Sequence, residues 1–343
     1  MLRSRWNMIA GMAVLLVVMC LVAGCGKQSQ QVDTQTQKSV ENGQQGENQA
    51  KDTQTAKQSQ TRVVKDEFGE VEIPVHPKRI AAIYLEDPLV ALGVTPIVQW
   101  YHPAWGKQDY LGLNVPTFDV TGSIEALLAA NPDLIIVDGG VDATKYEAYS
   151  KIAPTYRVPD SINKNAVETL KRVADIIGMP EKAERVLQAY QTKVADAKEK
   201  LNSSIGRQTV AVIRLNVGEK PSLALFGLKN SYTRMIYEDL GLEPYEPVKT
   251  IETHEIMSLE KIPEFHADHI IIFPSNGTWT SQENKQALAL LEDPLWKALP
   301  AVKKGNVYQL ERTHWQSGSI KANAMKIDDL LKFFSAKNSR LSV

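Results

Sequence analysis

The 343-residue chain carries 39 Lys and Arg against 40 Asp and Glu, a net charge of −1, and 43% of its residues are hydrophobic. With no basic tract of the kind that tracks phosphates, this balance argues against a nucleic-acid partner. Both cysteines, Cys20 and Cys25, lie near the N-terminus, so the body of the chain can hold no structural disulfide.

In chain order, the sequence opens basic at Arg3 and Arg5, runs apolar from Met8 to Val22 and reaches Leu21-Val-Ala-Gly-Cys25. An apolar run shorter than the ~20 residues of a membrane span reads as a secretory signal. Small residues just ahead of a cysteine resemble a bacterial lipobox. That resemblance implies a signal peptide over 1–24 and a diacylglycerol thioether on Cys25, which places the protein outside the cytoplasm on the cell membrane. An ordinary secreted protein or an uncleaved anchor is the alternative. Residues 25–61 are almost entirely Gln, Ser, Thr, Asn, Gly, Lys, Asp and Glu. Such a segment buries too little apolar surface to offset its ordering entropy and reads as a tether.

From Arg62 onward, short apolar runs alternate with amphipathic stretches, which predicts an α/β fold with a largely parallel sheet. A hairpin is expected over Arg62–Ile73, turning near Asp66. Strands are expected at Arg79–Tyr84, Asp133–Val137, Thr209–Arg214 and His269–Phe273, with helical patterns over Ser123–Ala130 and Ser231–Leu240. Three signals recur in the same order. The first strand is followed by Leu92-Gly-Val-Thr-Pro96, then Ser123-Ile-Glu125, then Asp133; the third by Leu240-Gly-Leu-Glu-Pro244, then Ser258-Leu-Glu260, then Asp268. The repeat predicts two similar lobes, 62–164 and 205–343. Between them, 165–204 carries the longest helical pattern, Asn165–Ile177 and Glu181 to about Leu201, broken at Gly178-Met-Pro180. It is expected to connect the lobes as a helical rod; a surface helix of one lobe is the alternative.

Lipobox, tether, paired lobes and joining helix together resemble the substrate-binding proteins of iron–siderophore and cobalamin ABC importers. The resemblance rests on His76-Pro-Lys-Arg-Ile80, Ala91-Leu-Gly-Val-Thr-Pro96, Glu125-Ala-Leu-Leu-Ala-Ala-Asn-Pro-Asp133, Asp293-Pro-Leu-Trp296 and Ala301-Val-Lys-Lys-Gly-Asn-Val-Tyr308. It implies two Rossmann-like lobes bridged by a long α-helix, a ligand cleft between them, and a monomer that docks on permease subunits through Glu125 and Glu260. Both glutamates also fit the first turn of a helix, where the dipole favours a carboxylate.

Ligands of open α/β sheets sit beyond the carboxyl ends of the strands, so Tyr84 and Arg214, ending the matched strands, are expected to face the cleft. Tyr84 offers a ring and a hydroxyl, Arg214 a permanent charge with five donors. Trp100, Trp105, Trp279 and Trp315 fall in loops near the same ends, as expected of binding aromatics. His254, Arg234 and His314 are further polar candidates. The ligand favoured by the resemblance is a ferric siderophore, whose iron(III) is already fully coordinated, so neither a metal site nor an intrinsic cofactor is expected. Haem or cobalamin in the same fold, or a ligand-sensing subunit for a membrane signalling partner, are the alternatives. An enzyme is disfavoured because no Gly-x-Ser-x-Gly elbow, Walker loop or His-Glu-x-x-His motif occurs.

Overall fold

A computed structural model of the chain describes residues 60–217 and 220–338. The expected signal peptide, Cys25 and nearly all of the expected tether lie outside them. Strands β1 (Thr61–Lys65) and β2 (Glu70–Pro74) form the expected antiparallel hairpin, starting at the last residue of the expected tether. Asp66 makes its turn. Oδ1 accepts from the N–H groups of Phe68 and Gly69 at 2.7 and 2.9 Å, and Oδ2 accepts from the Tyr146 hydroxyl and the Arg157 N–H. One buried carboxylate thus shapes the hairpin and fastens it to the N-terminal lobe.

That lobe is built on the parallel strands β3 (Ile80–Ile83), β6 (Leu134–Val137) and β7 (Thr155–Arg157), in the order β3-β6-β7. A separate parallel pair, β4 (Gln99–Tyr101) and β5 (Thr117–Asp119), lies next to β3, where the Ile97 N–H donates to the Ile80 carbonyl. Every residue of β3 and β6 is buried. Ile80, Ala82, Leu134 and Ile136 join one core, while Ala81, Ile83, Ile135 and Val137 join another. A sheet covered on both faces explains why these strands read as continuous apolar runs. The helices of this lobe are α1 (Glu86–Ala91), α2 (Glu125–Ala129) and α3 (Ala143–Ser150).

Helices α4 (Ala166–Ile176) and α5 (Pro180–Ile205) follow, interrupted where Gly178 takes φ 72. The Asn165 side chain caps α4 by accepting from Val167 and Glu168, and Pro180 opens α5, where its missing N–H is no loss. At 26 residues α5 extends about 39 Å. Lys182 near its start donates to the Leu92 carbonyl at 3.2 Å, and Tyr190 donates to Asp239 Oδ2 at 2.7 Å. The helix therefore touches elements on both halves of the repeat.

The C-terminal lobe holds β8 (Thr209–Asn216), β9 (Ser222–Phe226), β10 (Glu243–Pro244), β11 (His254–Met257), β12 (His269–Pro274) and β13 (Val307–Gln309) in one sheet. Its order is β11-β9-β8-β12-β13, with β10 added on β8. Strands β8, β12 and β13 run parallel, whereas β9 and β11 are antiparallel to their neighbours. The sheet is mixed because the link from β8 to β9 is too short to carry a crossover. Helices α6 (Lys285–Glu292), α7 (Pro294–Ala298), α8 (Pro300–Lys303), α9 (Arg312–Trp315) and α10 (Ile320–Asn338) complete it. The helix expected over Ser231–Leu240 is instead a π-helical turn, Met235–Asp239. Although late in the chain, α10 packs on α5, α4 and α1, so it too reaches the N-terminal lobe.

The repeated signals do matching work. Asp133 accepts from the N–H groups of Lys78 and Arg79 at the start of β3, and Asp268 accepts from the N–H of Thr209 at the start of β8. Gly93 and Gly241 both take left-handed φ, 77 and 67, as the turn after each copy's first helical segment requires.

Candidate functional site

Beyond the carboxyl ends of β3 and β6 lies a cavity of about 280 Å³, walled by both lobes. Tyr84, Trp100, Trp105 and Asp138 come from the N-terminal side. Tyr232, Arg312, Gln316 and Ser319 come from the C-terminal side.

Tyr84 directly follows β3 with φ 65, a conformation costly for a bulky side chain. Its ring packs 4.7 Å from that of Trp100, and burial pushes its hydroxyl up to about 12, with Asp138 adding to the rise. Trp100 is held from behind. Its backbone N–H donates to Glu86 Oε1 at 2.7 Å, and burial raises that carboxyl well above the usual range. Trp105 is 49% exposed and stacks on His102 at 3.8 Å, in a loop closed by the His102–Gly106 bridge. Asp138, just past β6, has its pKa pushed up to about 6, chiefly by burial, while the Gly140 N–H and Arg157 oppose the rise.

On the opposite wall Arg312 is 8% exposed and opens α9. Burial lowers its pKa, which leaves a guanidinium charged under ordinary conditions. Tyr232 is pushed up by burial and held back by Arg214 and Arg312. Beneath this wall lies Lys326 on α10, with 0% exposure. Its ammonium donates to the Tyr232 carbonyl at 2.7 Å, to the Ser317 carbonyl and to Asn323 Oδ1. It thereby pins both C-terminal cleft loops, although burial lowers its pKa to about 7. Gly318 lets those loops meet, because a Cβ there would stand 2.7 Å from Ser231 atoms.

The walls are joined at Asp87 on α1. Its carboxylate accepts from the N–H groups of Lys321 and Ala322 at 2.9 and 3.0 Å and from the Tyr110 hydroxyl at 2.7 Å. A side chain of the N-terminal lobe thus caps α10, satisfying N–H groups that a helix start leaves open.

Among the described residues eight side-chain polar atoms are buried without a partner, and five of them belong to residues lining this cleft. They are Trp100 Nε1, Gln108 Oε1, Asn163 Oδ1, Arg312 Nε and Gln316 Oε1. Buried polar groups are ordinarily paired, so their concentration in one place makes this cleft the candidate binding site.

Of the residues expected to bind, Tyr84, Trp100 and Trp105 line the cavity; the structure places the other five outside its wall. Trp315 is 0% exposed, its Nε1 donates to Asp329 at 2.7 Å, and Lys326 lies over its ring, so it is a core residue. Trp279 donates to the Leu310 carbonyl and packs on the core. Arg234 is spent on an ion pair with Glu238 one helical turn away. His254 is exposed on the edge strand β11. Arg214 does not end its strand, because β8 continues to Asn216; its Nε donates to Asn216 at 2.7 Å and its guanidinium lies 5.5 Å over Phe226. His314 is turned to Asp329 at 2.7 Å. Arg312, Asp138, Gln108, Asn163 and Gln316 were not anticipated. Arg312 follows β13 after two residues, so the strand-end rule would have found it had the short strand Val307–Gln309 been recognised. Glu125 and Glu260 are exposed, on α2 and on a 3₁₀ turn over Leu259–Glu264. Among the described residues no group of three or more His, Cys, Asp or Glu is placed to hold a metal ion.

A family model described as periplasmic binding protein matches residues 88–313. The chain belongs to this family. Its sequence is 32% identical over 273 residues to the iron(3+)-hydroxamate-binding protein FhuD of Bacillus subtilis, covering 75% of this chain and 81% of the relative. It is 27% identical over 339 residues to the Fe(3+)-citrate-binding protein YfmC of the same organism, covering 95% and 96%. Among solved structures, a Bacillus subtilis protein of the FhuD fold family matches with a TM-score of 0.66 at 28% identity, over 79% of this chain and 99% of that one. That protein is described as the periplasmic binding component of a Fep/Fec-like ferrichrome ABC transporter. Two-lobed architecture and membership of the ABC importer receptors agree with what the sequence resemblance implies.

Proposed function

We propose that this protein is a lipid-anchored, extracytoplasmic receptor that captures a ferric siderophore between its lobes and hands it to the permease of an ABC importer. The observation that carries this reading is the cleft itself. Three aromatic side chains of one lobe face a buried arginine and the Gln316 amide of the other, and the polar atoms without partners concentrate there. Aromatic faces and a guanidinium suit the organic shell and chelating oxygens of an iron complex whose metal is already coordinated. The protein then needs no metal ligand and performs no chemical step, consistent with the binding roles named for its relatives. Cys25 supplies the anchor, the chain acts as a monomer, and Glu125 and Glu260 meet basic residues on the permease, which leaves the cleft and the docking face on separate surfaces.

Tryptophan fluorescence tests the reading. Titration with a ferric siderophore is expected to quench emission saturably, and the Trp100→Phe/Trp105→Phe double variant is expected to lose most of that quenching. Quenching that survives in the double variant would move the ligand out of this cleft.

A further inference from the structure

The names of the relatives do not decide the ligand's chemistry, since one is a hydroxamate-binding and the other a citrate-binding protein. The charge inventory of the cleft does. Three charged side chains line it, Lys107, Arg312 and Asp138. The cations are also partly answered: Lys107 lies 4.0 Å from Asp109, and Arg312 feels the same carboxylate. With Asp138 ionised the wall carries at most one net positive charge. The rest of its polar surface is neutral, from amides such as Gln108, Asn163 and Gln316 and hydroxyls such as Ser317 and Ser319.

Three catecholates, each doubly charged, leave iron(III) a trianion, and citrate complexes are also anionic. Bringing such a charge into a half-enclosed cleft is costly unless cations of the wall compensate it. Three hydroxamates, each singly charged, cancel the iron charge and leave a neutral complex. Of the five unpartnered cleft atoms, Trp100 Nε1 and Arg312 Nε are donors that suit the chelating oxygens of any of these complexes, whereas the amide oxygens of Gln108, Asn163 and Gln316 seek donors. An acceptor is satisfied by N–H or O–H donors on the ligand, not by the oxygens of a polyanion.

We infer that the cleft takes a charge-neutral ferric complex of the hydroxamate class, carrying N–H or O–H donors on its backbone, and discriminates against catecholate and citrate complexes by its shortage of positive charge. This inference rests on the siderophore reading above. Equilibrium dialysis of the full-length protein in detergent against ferrichrome, ferric enterobactin and ferric dicitrate tests it. Ferrichrome is expected to bind at least roughly 30-fold tighter than either anion, and its Kd is expected to move less than about twofold on a tenfold rise in salt, since a neutral ligand has little to screen. Gln316→Lys is expected to narrow the ferrichrome-to-dicitrate ratio by about tenfold or more, the scale of one added charge in a partly enclosed site. Equal or tighter binding of either anion, or an unchanged ratio in Gln316→Lys, would overturn the inference and leave the siderophore reading standing. If none of the three complexes bound, the siderophore reading itself would fall and the inference with it.

Discussion

The two copies of the repeat agree at one end of their strands and part company at the other. Where strands begin, Asp133 accepts from the backbone N–H just ahead of β3 and Asp268 from that of the first residue of β8, and Gly93 and Gly241 take the same left-handed turn. Where strands end, Tyr84 leaves β3 in a left-handed conformation and enters the cleft, while its counterpart Arg214 stays within β8 and bonds to Asn216. The positive charge on the C-terminal wall comes instead from Arg312, after β13. The entry ends fix the sheet and answer to backbone geometry alone. The cleft ends differ between the lobes: Tyr84, Trp100 and Trp105 come from the N-terminal side, whereas the buried arginine, Arg312, comes from the C-terminal side.

The largest effect is expected from charge reversal on the exposed faces: Glu125→Lys with Glu260→Lys should abolish iron uptake by cells while leaving the Kd of the isolated protein unchanged. A matching loss of affinity would place those residues in the binding cleft rather than on a docking face. Next, Asp87→Ala should cost about 2–4 kcal/mol in urea unfolding, because two N–H groups of α10 and the Tyr110 hydroxyl lose a buried acceptor. Arg312→Ala should weaken ligand by ~1.5–3 kcal/mol, about 10- to 150-fold in Kd, whereas Arg214→Ala should change it less than about threefold. The reverse ranking would restore the strand-end reading of Arg214.

The smallest effect concerns pH and Lys326. Its folded pKa lies near 7 against 10.5 for an exposed lysine, so above pH 7 the unfolded chain binds the extra proton. This group's contribution to stability is therefore least favourable below pH 7 and improves as pH rises from 7 to about 10.5. Lys326→Met should remove that slope from the difference between the two proteins' stability curves. Parallel curves for wild type and variant across that range would show the amine is not titrating in the folded state.

Much of the fold was legible because buried parallel strands write themselves as unbroken apolar runs, and because the repeat states its own register. Less legible were the short strands at Gln99–Tyr101, Thr155–Arg157 and Val307–Gln309, three residues each, too brief for any periodicity to show. The lining of the candidate cavity was legible in part. Tyr84 follows from the strand-end rule, and the aromatic cluster Trp100–Trp105 from its loop position. Trp315 and Trp279 do not line the cavity, a distinction the sequence does not carry because a tryptophan near a cleft and one beneath it look alike there; the hydrogen bonds to Asp329 and Leu310 separate them. Arg312 was hidden because its strand was, and Lys326 because a lysine on an amphipathic helix is ordinarily a solvated one.

The central claim, that the ferric complex lies between Tyr84 and Arg312, is most directly tested by a crystal structure of the protein grown with ferrichrome and measured at the iron absorption edge. One anomalous peak in the cleft, flanked by the rings of Tyr84 and Trp100 and by the Arg312 guanidinium, is the predicted result. A peak beside Arg214 and His254 on the β11 edge, or a well-ordered cleft without iron while ferrichrome is bound in solution, would contradict it.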